Sequence, residues 1–149
     1  MSEWTIAAVD DSAVLVRASN LFDNPVSPEG AEDFLRRPGH VLLMATSRDG
    51  EGIGFVSGVE MRHPDKDPEM FIYELGVDEV WRRRGVAKAL LLALRDEAVQ
   101  RGCRSMWTGT EADNEAALAT YRSLGAAVDD RSVFITWDHL RSTGATAAD

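Results

Sequence analysis

The stretch Tyr73–Ala98, YELGVDEVWRRRGVAKALLLALRDEA, decides how this chain is read. It opens as the apolar end of a strand, passes through Arg82, Arg83 and Arg84, and from Val86 onward has the spacing of an amphipathic helix. A helix N-terminus already carries roughly +0.5 of an elementary charge, so cations there are misplaced unless something negative arrives. Gly85 lets the backbone bend and approach a ligand closely. The unpaired amides of the first helical turn point outward together, and the helix dipole adds to them. A strand, a short loop and Arg-x-x-Gly-x-Ala at a helix start therefore describe an anion site suited to phosphate. Taken alone, the three arginines are equally a solvated face ahead of a helix.

Working outward, the helix Val86–Arg101 places Ala87, Leu90, Leu91, Leu94 and Ala98 on one face, and Gly102 supplies its stop. Before it, Met70–Val77 reads as a strand, and Val41–Thr46 and Ile53–Met61 as a hairpin around Arg48-Asp49-Gly50-Glu51-Gly52. Ser27-Pro28 marks a helix start, with serine as N-cap and proline at the first helical position. Ser12–Leu21 has helical spacing and Thr5–Val9 is a short strand. After it come a strand at Ser105–Thr110, a helix capped by Asn114 and running past Tyr121 to Leu124-Gly125, and a closing strand at Val133–Trp137. The order β-α-α-β-β-β-α-β-α-β predicts an α/β (α+β) chain, a mixed sheet with helices on both faces. Residues 1–140 form one domain in this reading, and residues 141–149 are a small, polar, frayed tail.

Composition limits the partners. With 25 acidic against 16 basic residues and a formal charge of −9, the chain repels nucleic acid and anionic membrane and favours cationic ligands. Cys103 is the only cysteine, so there is no disulfide framework, and a reducing compartment, the cytoplasm, is expected. The N-terminus lacks the basic and apolar stretches of a secretory signal, and no run reaches the roughly 18 apolar residues that span a bilayer. His40, His63 and His139 stand apart without an i, i+4 pair, so no metal is expected. A homodimer is left open.

These motifs resemble the GNAT superfamily of N-acetyltransferases. Arg82, Gly85 and Ala87 match its Arg/Gln-x-x-Gly-x-Gly/Ala signature, Leu75-Gly76-Val77 precedes the loop at the family's spacing, and Asn114–Gly125 is similar to its Asn…Ala…Tyr…Leu-Gly helix. Within the superfamily the resemblance is to the aminoglycoside 3-N-acetyltransferases, through Ile72-Tyr73-Glu74-Leu75-Gly76-Val77, Arg82–Ala87, Leu21-Phe22-Asp23 and Trp137-Asp138. Glu74 stands where that branch has aspartate, and the segment between Gly125 and Asp138 is longer.

The resemblance implies a GNAT-like, mostly antiparallel central sheet and acetyl-CoA as donor, with no metal. The donor's pyrophosphate would sit on the amides of Arg83, Arg84, Gly85, Val86, Ala87 and Lys88, with the side chains of Arg82, Arg83 and Arg84 offsetting its charge. Its pantetheine arm would lie along Leu75, Gly76 and Val77 and touch Asn114. Glu74 would be the general base and Tyr121 the general acid, and Asp23, Glu74 and Asp138 would line the acceptor site. Strand alternation puts Glu74 on one face with Ile72 and Gly76, opposite Tyr73, Leu75 and Val77.

Each residue also has a plain structural reading. Glu74 fits a paired or solvent-facing strand glutamate, Tyr121 a core residue, Asn114 a helix cap and Gly76 a bulge. Cys103 has no neighbouring histidine in sequence, which favours direct acetyl transfer over a covalent intermediate. The function implied is N-acetylation of an aminoglycoside, with a role in antibiotic resistance. Acetylation of another amine (a polyamine, an amino-acid derivative or a protein N-terminus) and a non-catalytic acyl-CoA-sensing module are the alternatives.

Overall fold

Strand β2 (His40–Ser47) sends Val41, Leu43 and Ala45 to one side of the sheet and Leu42 and Met44 to the other, so both faces must be covered. One side is covered by α3 (Val86–Gln100), which buries Val86, Leu90, Leu91, Leu94 and Ala98. The other is covered by α1 (Ser12–Arg17) and α2 (Pro28–Arg36), whose Leu15 and Ala31 pack with Ala18, Leu42, Met44 and Phe55. The remaining strands are β1 (Trp4–Ala8), β3 (Gly52–Met61), β4 (Glu69–Val77) and β5 (Ser105–Trp107), and α4 (Glu115–Ser123) closes the element series. The five strands lie side by side in chain order. The first four are antiparallel, and β5 runs parallel to β4. The mixed sheet with helices on both faces is the predicted architecture. The computed structural model describes residues 2–141; residues 142–149 of the expected tail lie outside the described residues.

Local chemistry sets the helix starts. Asp11 Oδ1 accepts from Ala13 N at 2.9 Å, Ser27 Oγ from Gly30 N at 3.0 Å and Asn114 Oδ1 from Ala117 N at 3.2 Å. Each such cap is worth about 1 kcal/mol. The predicted Ser12–Leu21 helix is shorter, because after Ala18 the chain tightens into a 3₁₀ turn at Ser19–Leu21. On α3 it is Val86, at i−4 from Leu90, that is buried, while the expected Ala87 is only half-buried.

Two strand expectations are corrected. Ser105–Thr110 shortens to Ser105–Trp107, since Thr108 Oγ1 donates to the carbonyl of Ile72 at 2.9 Å and a side chain takes the place of the next ladder bond. Val133–Trp137 does not close the sheet: it forms no strand, and Val133, Phe134, Ile135 and Trp137 are all exposed. A run apolar at successive positions needs cover on both faces, and the three-residue β5 offers too short an edge to template it. Upstream, Asp129 turns the chain locally, accepting from Arg131 N at 2.9 Å and Ser132 Oγ at 2.7 Å.

Two features of β4 prepare a site. It pairs with β5 only over Glu69–Phe71, so beyond that point its outer edge is not laddered to β5. It also carries a bulge: on β3, Ser57 faces Glu74 while the next residue, Gly58, faces Ile72, leaving Tyr73 as the extra residue. The buried Ser57 hydroxyl accepts from the amide of Glu74 at 3.1 Å and supplies a partner at the interruption.

Candidate active site

The arginine loop turns into α3 through two left-handed residues. Gly85, at φ 89°, is the N-cap of α3 and caps it with no side chain, and Arg83 also has a left-handed backbone, at φ 63°. A non-glycine residue held at positive φ is uncommon and stores of order 1–3 kcal/mol, which the surrounding contacts must offset. The first intrahelical bond runs from Ala89 N to Gly85 O at 3.0 Å, so the earlier amides of the turn have no intrahelical partner. Successive amides turned inward by alternating backbone handedness form an anion-binding nest. They border a cavity of about 220 Å³ lined by Val77, Arg82, Arg83, Gly85, Ala87 and Lys88 among others. The donor set suits a phosphate group.

The three arginines are not equivalent. Arg82 Nε donates to the carbonyl of Val77 at 3.1 Å, fastening the loop to the end of β4. Arg84 lies over the ring of Trp81, 4.9 Å from its centroid, and pairs with Glu3 at 3.4 Å; Trp81 borders the cavity and Arg84 itself does not. Arg83 makes no side-chain hydrogen bond or ion pair among the described residues.

A second cavity, about 590 Å³, opens on the α1–α2 side of the sheet, where Phe22, Asp23, Phe55, Glu74, Gly76 and Arg82 are among its walls. Val77 and Arg82 line both cavities, which are therefore neighbours. The bulge at Tyr73 corrects the predicted alternation. Glu74 and Gly76 share the α1–α2 side with Phe55, but Ile72 packs with Leu75 and Val77 into the α3 core. The bulge is at Tyr73, not at Gly76, whose pairing with Phe55 is regular. A side chain at Gly76 would come within 2.9 Å of the Phe55 ring and 3.0 Å of the Leu21 carbonyl, so glycine is required by the protein's own packing.

Glu74 reaches solvent, yet partial burial against the sheet and, secondarily, the nearby charge of Asp23 raise its carboxyl above the ordinary carboxylate value. A carboxyl whose pKa is raised by folding contributes stability that is fully present below its unfolded pKa and lost as pH rises through the folded one. Glu74→Gln is accordingly expected to raise Tm near neutral pH and to leave it unchanged below the carboxylate range. Thermal melts across pH check this, and a lower Tm at neutral pH would show that the charge is instead stabilised.

Tyr121 is half-buried against the α3 core, and burial pushes its phenol up, which keeps it protonated at neutral pH. It is the adjacent Thr120, not Tyr121, that borders the smaller cavity. Asn114 caps α4, and its Nδ2 donates to Thr110 Oγ1 at 3.3 Å. Asp138 lies in the exposed segment after Gly125 and borders neither cavity. Phe55 and Ser57 were not singled out in the sequence, and Phe22 stood there only within the Leu21-Phe22-Asp23 resemblance. The hydroxyl in the apolar run Ile53–Val59 was the one available signal. Among the described residues no group of three or more His, Cys, Asp or Glu could hold a metal, and no helix is long and apolar enough to cross a membrane.

Comparison with known proteins gives this geometry a context. Residues 13–126 match the model of the acetyltransferase (GNAT) family. Aminoglycoside N(6')-acetyltransferase type 1 of Salmonella typhimurium is 30% identical over 100 residues, covering 64% of this chain and 68% of that protein. The [ribosomal protein bS18]-alanine N-acetyltransferase of Escherichia coli is 40% identical over 57 residues, 38% of each chain. Among solved structures, an aminoglycoside acetyltransferase from an uncultured soil metagenomic sample, in complex with sisomicin, superposes with a TM-score of 0.82 at 17% identity. The match covers 92% of this chain and 97% of that one.

Proposed function

The chain belongs to the acetyltransferase (GNAT) family, and on that premise we propose that it acetylates a primary amine of a cationic small molecule, an aminoglycoside. Acetyl-CoA-dependent acetyl transfer is its class of chemistry. The single observation that carries the acceptor reading is the pair of neighbouring cavities: one bordered by the arginine loop and the start of α3 and, on the other side of Val77 and Arg82, one bordered by Asp23 and Glu74. A polyanionic donor and a polycationic acceptor would thereby be served by adjacent sites of opposite charge. The proposed domain is residues 1–140.

In the proposed mechanism the donor's pyrophosphate rests on the first-turn amides of α3, with Arg82 and Arg83 beside it. Its pantetheine arm follows the β4 edge at Leu75, Gly76 and Val77. Asn114 stays a cap whose amide is turned towards Thr110. An ammonium ion has no lone pair, so the acceptor must lose a proton before it attacks. Glu74, directly or through one water, takes that proton. The neutral amine then attacks the thioester carbonyl, a C–N bond forms, the C–S bond breaks, and the surplus proton on the nitrogen passes to water. The leaving thiolate takes a proton from Tyr121, whose phenol is held protonated by burial and regains its proton from water afterwards.

The Salmonella typhimurium relative supports an aminoglycoside acceptor but is an N(6') enzyme, so it lends nothing to the 3-N assignment expected from the sequence. We propose the 6' amine as the first position to examine. The match to a ribosomal-protein alanine acetyltransferase favours one second reading, a protein N-terminal amine. Release of free thiol from acetyl-CoA across kanamycin-type and gentamicin-type compounds, a linear polyamine and an alanine-initiated peptide separates them. The amino sugars should be turned over best, with a KM that rises with ionic strength as screening weakens the pull of the carboxylates. Turnover of the peptide alone would replace the aminoglycoside reading with the second one.

A further inference from the structure

The sheet face that carries Glu74 is covered over only part of its width. The apolar cluster beneath α1 and α2 takes Leu42, Met44 and Phe55 from β2 and β3 and nothing from β4 or β5. Beyond its limit lies a row of three aromatic rings. Phe71 points away from the α3 core that buries its neighbours Met70 and Ile72. Its ring is 4.6 Å from that of Trp107 on β5 and 5.8 Å from that of Tyr73, at interplanar angles of 44° and 39°. Tyr73 is 62% exposed and Trp107 42% exposed. Three touching rings left open to water forgo burial that would stabilise the fold, and such a patch marks a place where something else is bound.

The bulge is what aligns this row with the cavity. In a regular strand Glu74 would share the α3 side with Met70 and Ile72, opposite Phe71 and Tyr73. The extra residue at Tyr73 brings Glu74 round to the side of Phe71, so the row that Tyr73 ends and the next residue, Glu74, share one face of the sheet. An apolar ledge with Glu74 at its end and Asp23 across the adjoining cavity suits a ligand that is apolar on a flat face and cationic at its rim. The C–H bonds of a saturated ring bearing ammonium groups carry partial positive charge, which aromatic faces attract. A linear polyamine has no such face to offer.

We propose that Phe71, Tyr73 and Trp107 form a shelf that stacks a second ring of a multi-ring amino sugar while Glu74 and Asp23 take its ammonium groups. This rests on the acceptor reading above and makes the shelf a determinant of acceptor specificity. The test is steady-state thiol release with a kanamycin-type acceptor, comparing wild type with Tyr73→Leu, Trp107→Leu and the ring-retaining Tyr73→Phe, each checked by thermal melting and light scattering. The two leucine variants should raise acceptor KM about tenfold with kcat and the KM for acetyl-CoA within about twofold, and Tyr73→Phe should restore the wild-type KM. A wild type that turns over the amino sugar beside leucine variants with unaltered KM would sink the shelf and leave the acceptor reading standing. A wild type inactive on every amino sugar would sink both. Leucine variants that break a dimer into monomers would assign the row to a second copy of the chain and overturn the proposal.

Discussion

Glu74→Gln lowers kcat/KM by about 100-fold or more, the ordinary span of a lost general base. The substitution keeps the length and part of the hydrogen bonding of the side chain and removes its basicity. The pH profile separates this from a packing effect. Since burial and Asp23 raise the carboxyl's pKa, the wild-type rate should fall off on the acid side at a pH above the usual carboxylate range, where Glu74 takes up a proton. In Glu74→Gln that acid limb disappears. In Asp23→Asn one of the two raising influences is gone, so the limb should move towards lower pH. An acid limb that keeps its position in both variants, with near-wild-type rates, would return Glu74 to the role of a solvent-facing strand residue.

Arg82→Glu weakens binding of CoA by about tenfold or more, as a charge-assisted contact is exchanged for a repulsion. Arg82 lines both cavities and also ties the loop to β4 through the carbonyl of Val77, so its replacement removes charge and anchorage together. The matching control is Arg84→Glu. That arginine is engaged with Trp81 and Glu3 and does not itself line the cavity, so its reversal should cost the donor much less. Calorimetric titration at fixed salt reads the difference, and the stabilisation of the fold by acetyl-CoA should shrink in parallel with affinity. Equal losses in the two variants would mean a general field effect rather than a site at Arg82.

Most of the fold was legible because it follows from local rules. The apolar spacing of Leu90, Leu91, Leu94 and Ala98, the Ser27-Pro28 start and the Asn114 cap all depend on neighbours within a few residues. What was not legible depends on contacts distant in sequence. The bulge at Tyr73 is set by the pairing of Ser57 with Glu74, and a single inserted residue reverses which face Ile72 shares. The strand expected at Val133–Trp137 has strong β propensity and lacks an edge on which to form, because β5 ends at Trp107, where the Thr108 side chain takes the place of the next ladder bond. The arginine loop was legible as a turn into the start of α3, whereas the diversion of Arg84 to Trp81 and Glu3 was not. Gly76 fitted a bulge in the sequence, whereas what requires it is the close approach of Phe55 and Leu21.

The most direct test of the account is to incubate the protein with acetyl-CoA and a kanamycin-type amino sugar, and to follow the acceptor itself by mass spectrometry with the acetylated position located by NMR. The account predicts one acetyl group per acceptor, bound to an amine nitrogen and formed in step with free CoA thiol. Thiol released with no gain in acceptor mass, or no thiol released at all, would contradict it.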